Sequence, residues 1–318
     1  MIIKKWILYL LYLKYREIFK SFLFFSFLFI IIYNHDKDNF IDGELAKINS
    51  NKNELNWKNI EKDFSSLALK YKYLIKNEKN IPENSPIWIM WYQGIKNAPP
   101  IVLSCIKSIF VNRGNHHIHI IDKYNIGSFI KLPPYIKEKF NNGTFSITHL
   151  SDIVRMGLLY KYGGYWIDST IFITTPLLNI NSTFFTLKKP ICFKSKLSKC
   201  RWSGYFLGTT KKSFISTYCY MAFLSYWKTY NSLISYFLID YIIQIAYEKV
   251  KQFNHKIESL PYYKCNVFLA KELNNEYNKN NFNCRFYKLT FKKHFNEYKG
   301  TKKTNFGYLI ENYKMNTL

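Results

Sequence analysis

Apolar positions along this chain follow several patterns, and each pattern predicts a different kind of element. At the start they form runs. Met1–Leu13 is apolar apart from Lys4 and Lys5, and Ser21–Tyr33 is apolar apart from two serines, with Lys14, Arg16 and Lys20 between them. The second run has 13 residues, short of the ~20 that a spanning helix needs. It could barely cross with its flanks snorkelling, or lie in the interface with lysines at the headgroups. A secretory signal is a third reading, although no small-x-small site follows Tyr33. From residue 53 to 77 the period changes. Ile60, Phe64, Leu67, Tyr71 and Leu74 recur every three or four residues among charged ones, which predicts an amphipathic helix.

Pro82 and Pro86 then break the chain before Ile87–Trp91, the predicted first strand. Ala98-Pro99-Pro100 opens a helix through Ser108, and His117–Ile121 predicts a second strand. Further on, Ser151 is a candidate N-cap with Asp152 in the first turn, and Ile153, Val154, Met156, Leu158 and Leu159 follow with helical character. Gly163 and Gly164 supply a left-handed stop, and Tyr165-Trp166-Ile167 predicts a strand with Asp168 at its carboxyl end. This alternation is a βαβ series with a mostly parallel sheet. Ser203–Gly208 predicts a strand and Phe214–Lys228 a helix. Leu233–Tyr247 predicts a helix apolar on nearly every face, hence buried, interrupted by Asp240 and Gln244 at i, i+4. No internal repeat is evident.

Chemistry concentrates around the glycine pair. Asp152 and Arg155 are three apart and share one helix face, while Asp168 ends the next strand, at the sheet edge where open α/β sheets bind ligands. An acid and a cation on a helix, with a second acid on a strand, suit a sugar and its diphosphate. The stretch SDIVRMGLLYKYGGYWIDST (Ser151–Thr170) resembles the signature of the glycosyltransferase family 32-like sugar-binding proteins, in particular the capsular polysaccharide synthesis branch. Ile87–Ile109, Leu132–Phe140, Trp202–Lys211 and Tyr236–Ile243 are similar to that family in the same order, so the resemblance covers roughly residues 85–315. Five matches in order are far more specific than a lone Gly-Gly pair.

The resemblance implies an α/β fold of GT-A (Rossmann-like) type and transfer of a sugar from a nucleotide donor to a growing surface polysaccharide or glycolipid, with retention at the anomeric carbon. It implies that Asp168 contacts donor and metal. Many members carry Asp-x-Asp here, the second acid holding a divalent ion through the diphosphate; in this chain Thr170 stands in that place. A threonine hydroxyl is a weak ligand, so Mn²⁺ or Mg²⁺ would be held mainly by Asp168 and the donor phosphates. Gly163, Gly164 and Thr170 are expected at the donor. Trp91 and Gln93 end the first strand, where GT-A enzymes hold the base, and Trp91 could stack on uracil or guanine or belong to the core. Asp152 would accept hydrogen bonds from donor hydroxyls, or be only a helix charge worth ~0.3–1 kcal/mol. Arg155 would reach the phosphates, or pair with Asp152 or Asp168. Asp240 is either a catalytic carboxylate at a sugar or a buried acid with structural partners; the family pattern favours the first. The second functional class is a non-catalytic sugar-nucleotide- or glycan-binding subunit of a membrane assembly, motivated by Thr170 and the apolar N-terminus.

Composition adds limits. In 318 residues, 48% are hydrophobic and 19% aromatic, enough for a sizeable core. The net charge, 46 − 21 = +25, suits an anionic membrane surface or acidic donors, and a lysine-rich codon bias explains it equally well. Nucleic acid is disfavoured, because the lysines are scattered and no zinc or RNA-recognition motif occurs. The six cysteines form no Cys-x-x-Cys pair and read as buried thiols in a reducing compartment. His116, His117 and His119 read as structural. The expected organisation is a membrane-associating segment over 1–35, a helical region over 36–84 and the catalytic domain over 85–318. The basic flank precedes the apolar run, and Asp36 and Asp38 follow it, so positive-inside logic puts the domain outside. A bacterial enzyme using nucleotide sugars works inside, which favours attachment to the cytoplasmic face of the inner membrane. The alternative is a lumenal type II enzyme, with Asn142-Gly143-Thr144 and Asn181-Ser182-Thr183 as glycosylation triplets.

Overall fold

A computed structural model describes residues 56–177, 182–190, 197–263 and 272–315. The apolar N-terminal segment expected to seek a membrane lies outside the described residues. Asn56–Leu318 forms one compact unit.

Its first helix, α1 (Trp57–Tyr71), is capped by Asn56, whose side chain accepts from the Lys58 N–H. It buries Ile60, Phe64 and Ala68, close to the predicted face, and runs on as a 3₁₀ turn through Asn77. Strand β1 (Ile87–Met90) follows, then α2 (Pro100–Val111), which opens on a proline in its first turn, where no backbone N–H is needed. Next come β2 (Ile118–Ile121) and two short helices, α3 (Ile126–Phe129) and α4 (Pro134–Asn141). Helix α5 (Ile147–Tyr162) leads into β3 (Gly164–Ile167) and β4 (Ile171–Ile173). After β5 (Phe184–Thr186) and β6 (Phe206–Thr209) come α6 (Phe214–Thr229), α7 (Leu238–Lys249) and α8 (Lys251–Glu258). Strands β7 (Phe286–Lys288), β8 (Tyr298–Lys299) and β9 (Lys302–Lys303) precede α9 (Asn305–Asn312).

The main sheet has the order β2-β1-β3-β6-β5. β1 runs parallel to β2 and β3, and β6 is antiparallel to both β3 and β5. The fold is therefore mixed α/β: the β2-β1-β3 half is parallel, as the βαβ spacing predicts, and the β3-β6-β5 half is antiparallel, against the expectation of a mostly parallel sheet. A second ladder joins β4 to β7 antiparallel, with Ile171 opposite Lys288. Side chains alternate across β1 and β3. Ile87, Ile89, Tyr165 and Ile167 face a core built with α2 and the β4–β7 ladder. Trp88 and Trp166 face the other way, and the Trp88 indole N–H donates to the Gly163 carbonyl at 2.8 Å.

Three further expectations change. The helix before the glycine pair starts at Ile147 and not after Ser151, because Ser146 is extended and its carbonyl takes the Leu150 N–H. Asp152 consequently sits in the second turn, and the helix dipole is no longer its reason for being there. The helix expected from Leu233 begins at Leu238. Upstream, the Tyr226 hydroxyl donates to the Ser232 carbonyl and accepts from the Ile234 N–H, satisfying that backbone without a helix. α7 is also not buried all round: Ile239, Ile242, Ile243 and Ala246 are buried, while Asp240 and Gln244 lie on a half-exposed face. Third, Cys200 and Cys284 each take part in a disulfide, whereas Cys105 and Cys219 are free and buried.

Candidate active site

The strongest polar cluster among the described residues sits where β3 ends. Asp168 follows Ile167, and its backbone N–H is fixed to the Tyr205 carbonyl at 2.9 Å. Its position continues the parity of Trp166, so the carboxylate meets α5. Helix α5 brings Asp152 and Arg155 there together, both almost fully buried. The Arg155 Nη1 lies 3.1 Å from Asp152 Oδ1, and its Nη2 lies 3.3 Å from Asp168 Oδ1. The Trp166 Nε1–H donates to the same Oδ1 at 2.8 Å, and the guanidinium lies 5.0 Å from the Trp166 ring centre. Gly204 makes room for this arginine, since a Cβ there would stand 3.2 Å from Nη1.

The other carboxylate oxygen is taken by a residue that the sequence reading missed. Lys288 Nζ donates to Asp168 Oδ2 at 2.6 Å and to Thr170 Oγ1 at 2.7 Å. Its ammonium also lies 5.0 Å from the Tyr205 ring centre. Lys288 is 120 residues from Asp168, and only the β4–β7 pairing delivers it. The alternation of Phe286-Tyr287-Lys288 was the sole local hint of a strand.

Electrostatics divides the acids. Burial pushes the Asp152 carboxyl up to about 7; Arg155 opposes this, and the negative charges of Asp168 and Asp240 add to it. Asp168 is held below the ordinary carboxylate range: burial pushes it up, but Lys288 and Arg155, with the hydrogen bonds from Lys288 and Trp166, outweigh that. Asp168 is thus a fixed anion, and Asp152 a carboxyl that changes protonation close to physiological pH. Asp240 sits within electrostatic reach of Asp152, and its Oδ1 accepts from the Trp202 indole N–H at 2.8 Å.

The structure therefore brings Asp152, Arg155, Asp168, Thr170 and Asp240 to one locality. Trp91 and Gln93 follow β1 at the same edge of the sheet. Gln93 is exposed, while Trp91 is half-buried against Phe291, with ring centres 5.1 Å apart, and its indole N–H has no protein partner. Gly163 and Gly164, expected at the donor, do not join the cluster around Asp168. They stand at the opposite, amino end of β3, beside a cavity of about 360 Å³ that Lys211 and Lys212 also line. Both have positive φ, 73° and 94°. A Cβ on Gly164 would fall 2.1 Å from the Pro86 carbonyl oxygen, and one on Gly163 2.6 Å from the Lys211 nitrogen. Close backbone packing requires these glycines.

The residues around Asp168 do not fit a divalent-metal site as they stand. The place between Asp168 Oδ2 and Thr170 Oγ1, where such an ion would bind, is filled by the Lys288 ammonium.

The chain is similar to known proteins to different depths. An O-glycosyltransferase, braB, of Annulohypoxylon truncatum is 30% identical over 115 residues, 33% of this chain. The match spans about a quarter (26%) of that relative's length. A solved structure described as PaToxG glycosyltransferase covers 62% of this chain and 82% of its own, at 14% identity and a TM-score of 0.39. The model of one family, described as capsular polysaccharide synthesis protein, matches residues 37–309. The match includes α5, β3, Asp168 and Lys288, and on that extent the chain belongs to the capsular polysaccharide synthesis protein family.

Proposed function

We propose that this chain is a glycosyltransferase of GT-A type that moves a sugar from a nucleotide donor onto a polysaccharide or lipid-linked glycan acceptor. The observation that carries the reading is the Asp168 carboxylate at the carboxyl end of β3, bracketed by Arg155 and Lys288. Family membership and the O-glycosyltransferase relative support it. Glycosyl transfer needs a departing diphosphate stabilised, and preorganised cations in a largely dry site do that best. Arg155 and Lys288 are such cations, and Trp166 and Asp168 hold the arginine in place. Asp152 and Asp240 are the carboxylates available to sugar hydroxyls, and Trp91 is the aromatic face available to the base. Incubation with a panel of nucleotide sugars is expected to yield donor hydrolysis or transfer. Failure to bind or turn over every member would remove the assignment, and binding without turnover would favour a sugar-nucleotide-binding subunit.

The disulfide-bonded cysteines bear on location. Disulfides persist in oxidising compartments, which supports a lumenal or exported catalytic domain over a cytoplasmic one. The charge asymmetry about residues 21–33 points the same way, and Asn142, of the Asn-Gly-Thr triplet, is exposed in the turn after α4. Among the described residues no helix is long and apolar enough to cross a membrane; the apolar runs and basic flank of residues 1–35 are the ground for proposing attachment there. Removing them is expected to give a soluble, active protein. A misfolded product would instead make them part of the core.

A further inference from the structure

We infer that Lys288 stands in for a divalent cation, so that the donor diphosphate is engaged by the Lys288 ammonium and the Arg155 guanidinium without a metal ion; this rests on the glycosyltransferase reading above. The first ground is position. In an Asp-x-Asp motif the ion would lie between the two acids. Here the second is Thr170, and Nζ lies 2.6 Å from Asp168 Oδ2 and 2.7 Å from Thr170 Oγ1. A hydroxyl is a poor ligand for a hard cation and a good acceptor for an ammonium N–H. Thr170 and Lys288 are thus chemically matched to each other.

The second ground is valence. An ammonium has three N–H donors, and the two protein oxygens take two. The third remains for a phosphate oxygen, and the side chain is 22% exposed, so that donor can be reached. The third ground is rigidity. The backbone of Lys288 is fixed opposite Ile171 in the β4–β7 ladder, and the Leu289 N–H donates to the Thr170 carbonyl at 2.9 Å. The same ladder therefore holds the Asp168-Ser169-Thr170 turn and the lysine in register. The last ground is charge. Lys288 and Arg155 together place two positive charges on the two sides of Asp168, and Lys288 supplies the one that stands where the ion would. Lysine acts on phosphate as a point charge, as a bound ion would.

The test is calorimetric binding of UDP and GDP to the full chain, first in excess EDTA and then with added Mn²⁺. The nucleotide that binds is expected to do so in EDTA, with affinity changed less than about threefold by Mn²⁺. Lys288→Ala is expected to weaken it by roughly 10–100-fold, within the range for losing one hydrogen bond to a charged group, and Lys288→Arg to restore part of it. A gain of tenfold or more on adding Mn²⁺ to the natural chain would overturn the inference and leave the donor reading intact. That comparison decides the matter even if Lys288→Ala fails to fold. Unaltered affinity in a folded Lys288→Ala would also overturn it. Absence of binding for UDP, GDP and the nucleotide-sugar panel under both conditions would overturn the glycosyltransferase reading itself.

Discussion

Asp168 holds the site together because three donors converge on it: Arg155 and Trp166 on one oxygen and Lys288 on the other. Asp168→Asn keeps the shape but removes the charge that balances two cations. The expected result is a fall in turnover on the order of 10²-fold, together with a stability loss of about 2 kcal/mol. Parallel measurement of kcat and the thermal midpoint checks both; unchanged turnover would take Asp168 out of the site. Asp152 makes a prediction of opposite sign. Its unfolded carboxyl titrates near pH 4, whereas burial holds the folded one up at about 7. Between those values the native state carries the extra proton, so stability falls as pH rises through that window. Asp168, held low, contributes stability that is lost only as pH drops below the ordinary carboxylate range. Thermal midpoints across pH 4–8 should therefore decline less steeply in Asp152→Asn than in the natural chain. A variant with the same slope would show that Asp152 is not the group titrating.

At the scale of elements, two glycines and one ladder position this chemistry. Gly164 starts β3 at a φ of 94° under the Pro86 carbonyl, which is why α5 can turn directly into a central strand. Gly164→Ala meets both a strained backbone and a carbonyl oxygen that cannot move aside. Its cost is expected to reach about 2 kcal/mol or more, while nucleotide affinity per folded molecule stays unchanged, since the residue lies at the far end of β3. Lost affinity in a folded Gly164→Ala would place the glycine at the donor site. The β4–β7 ladder does the opposite work. It has little regularity of its own, with three residues on each side, yet it carries Lys288 to Asp168.

For the whole molecule, the oxidised state of Cys200 and Cys284 sets the conditions under which the fold is stable. Each disulfide typically adds about 2–4 kcal/mol, so a reductant is expected to lower the thermal midpoint by at least about 5 °C in a chain of this size. Alkylation of the unfolded, unreduced protein should label fewer than the six cysteines present. Six labels and an unmoved midpoint would return the chain to a reducing compartment.

Much of this was legible in the sequence because it is local. The stripe Ile60-Phe64, the proline-opened α2, the βαβ alternation and the strand ending at Asp168 each follow from periodicities shorter than a turn or a strand. Asp152 and Arg155 share a helix face by spacing alone. Only the tertiary structure decided what lies opposite Asp168. Lys288 is one of many lysines, and no local pattern marks it, because its partner is set by a strand pairing across more than a hundred residues of chain. The place of the glycine pair was hidden for a related reason. A Gly-Gly between helix and strand reads equally as a ligand loop or a packing joint, and only the Pro86 carbonyl above it tells the two apart. Short-range sterics and spacing fix elements and faces; the charge balance of a buried site depends on groups that meet only when the sheet closes.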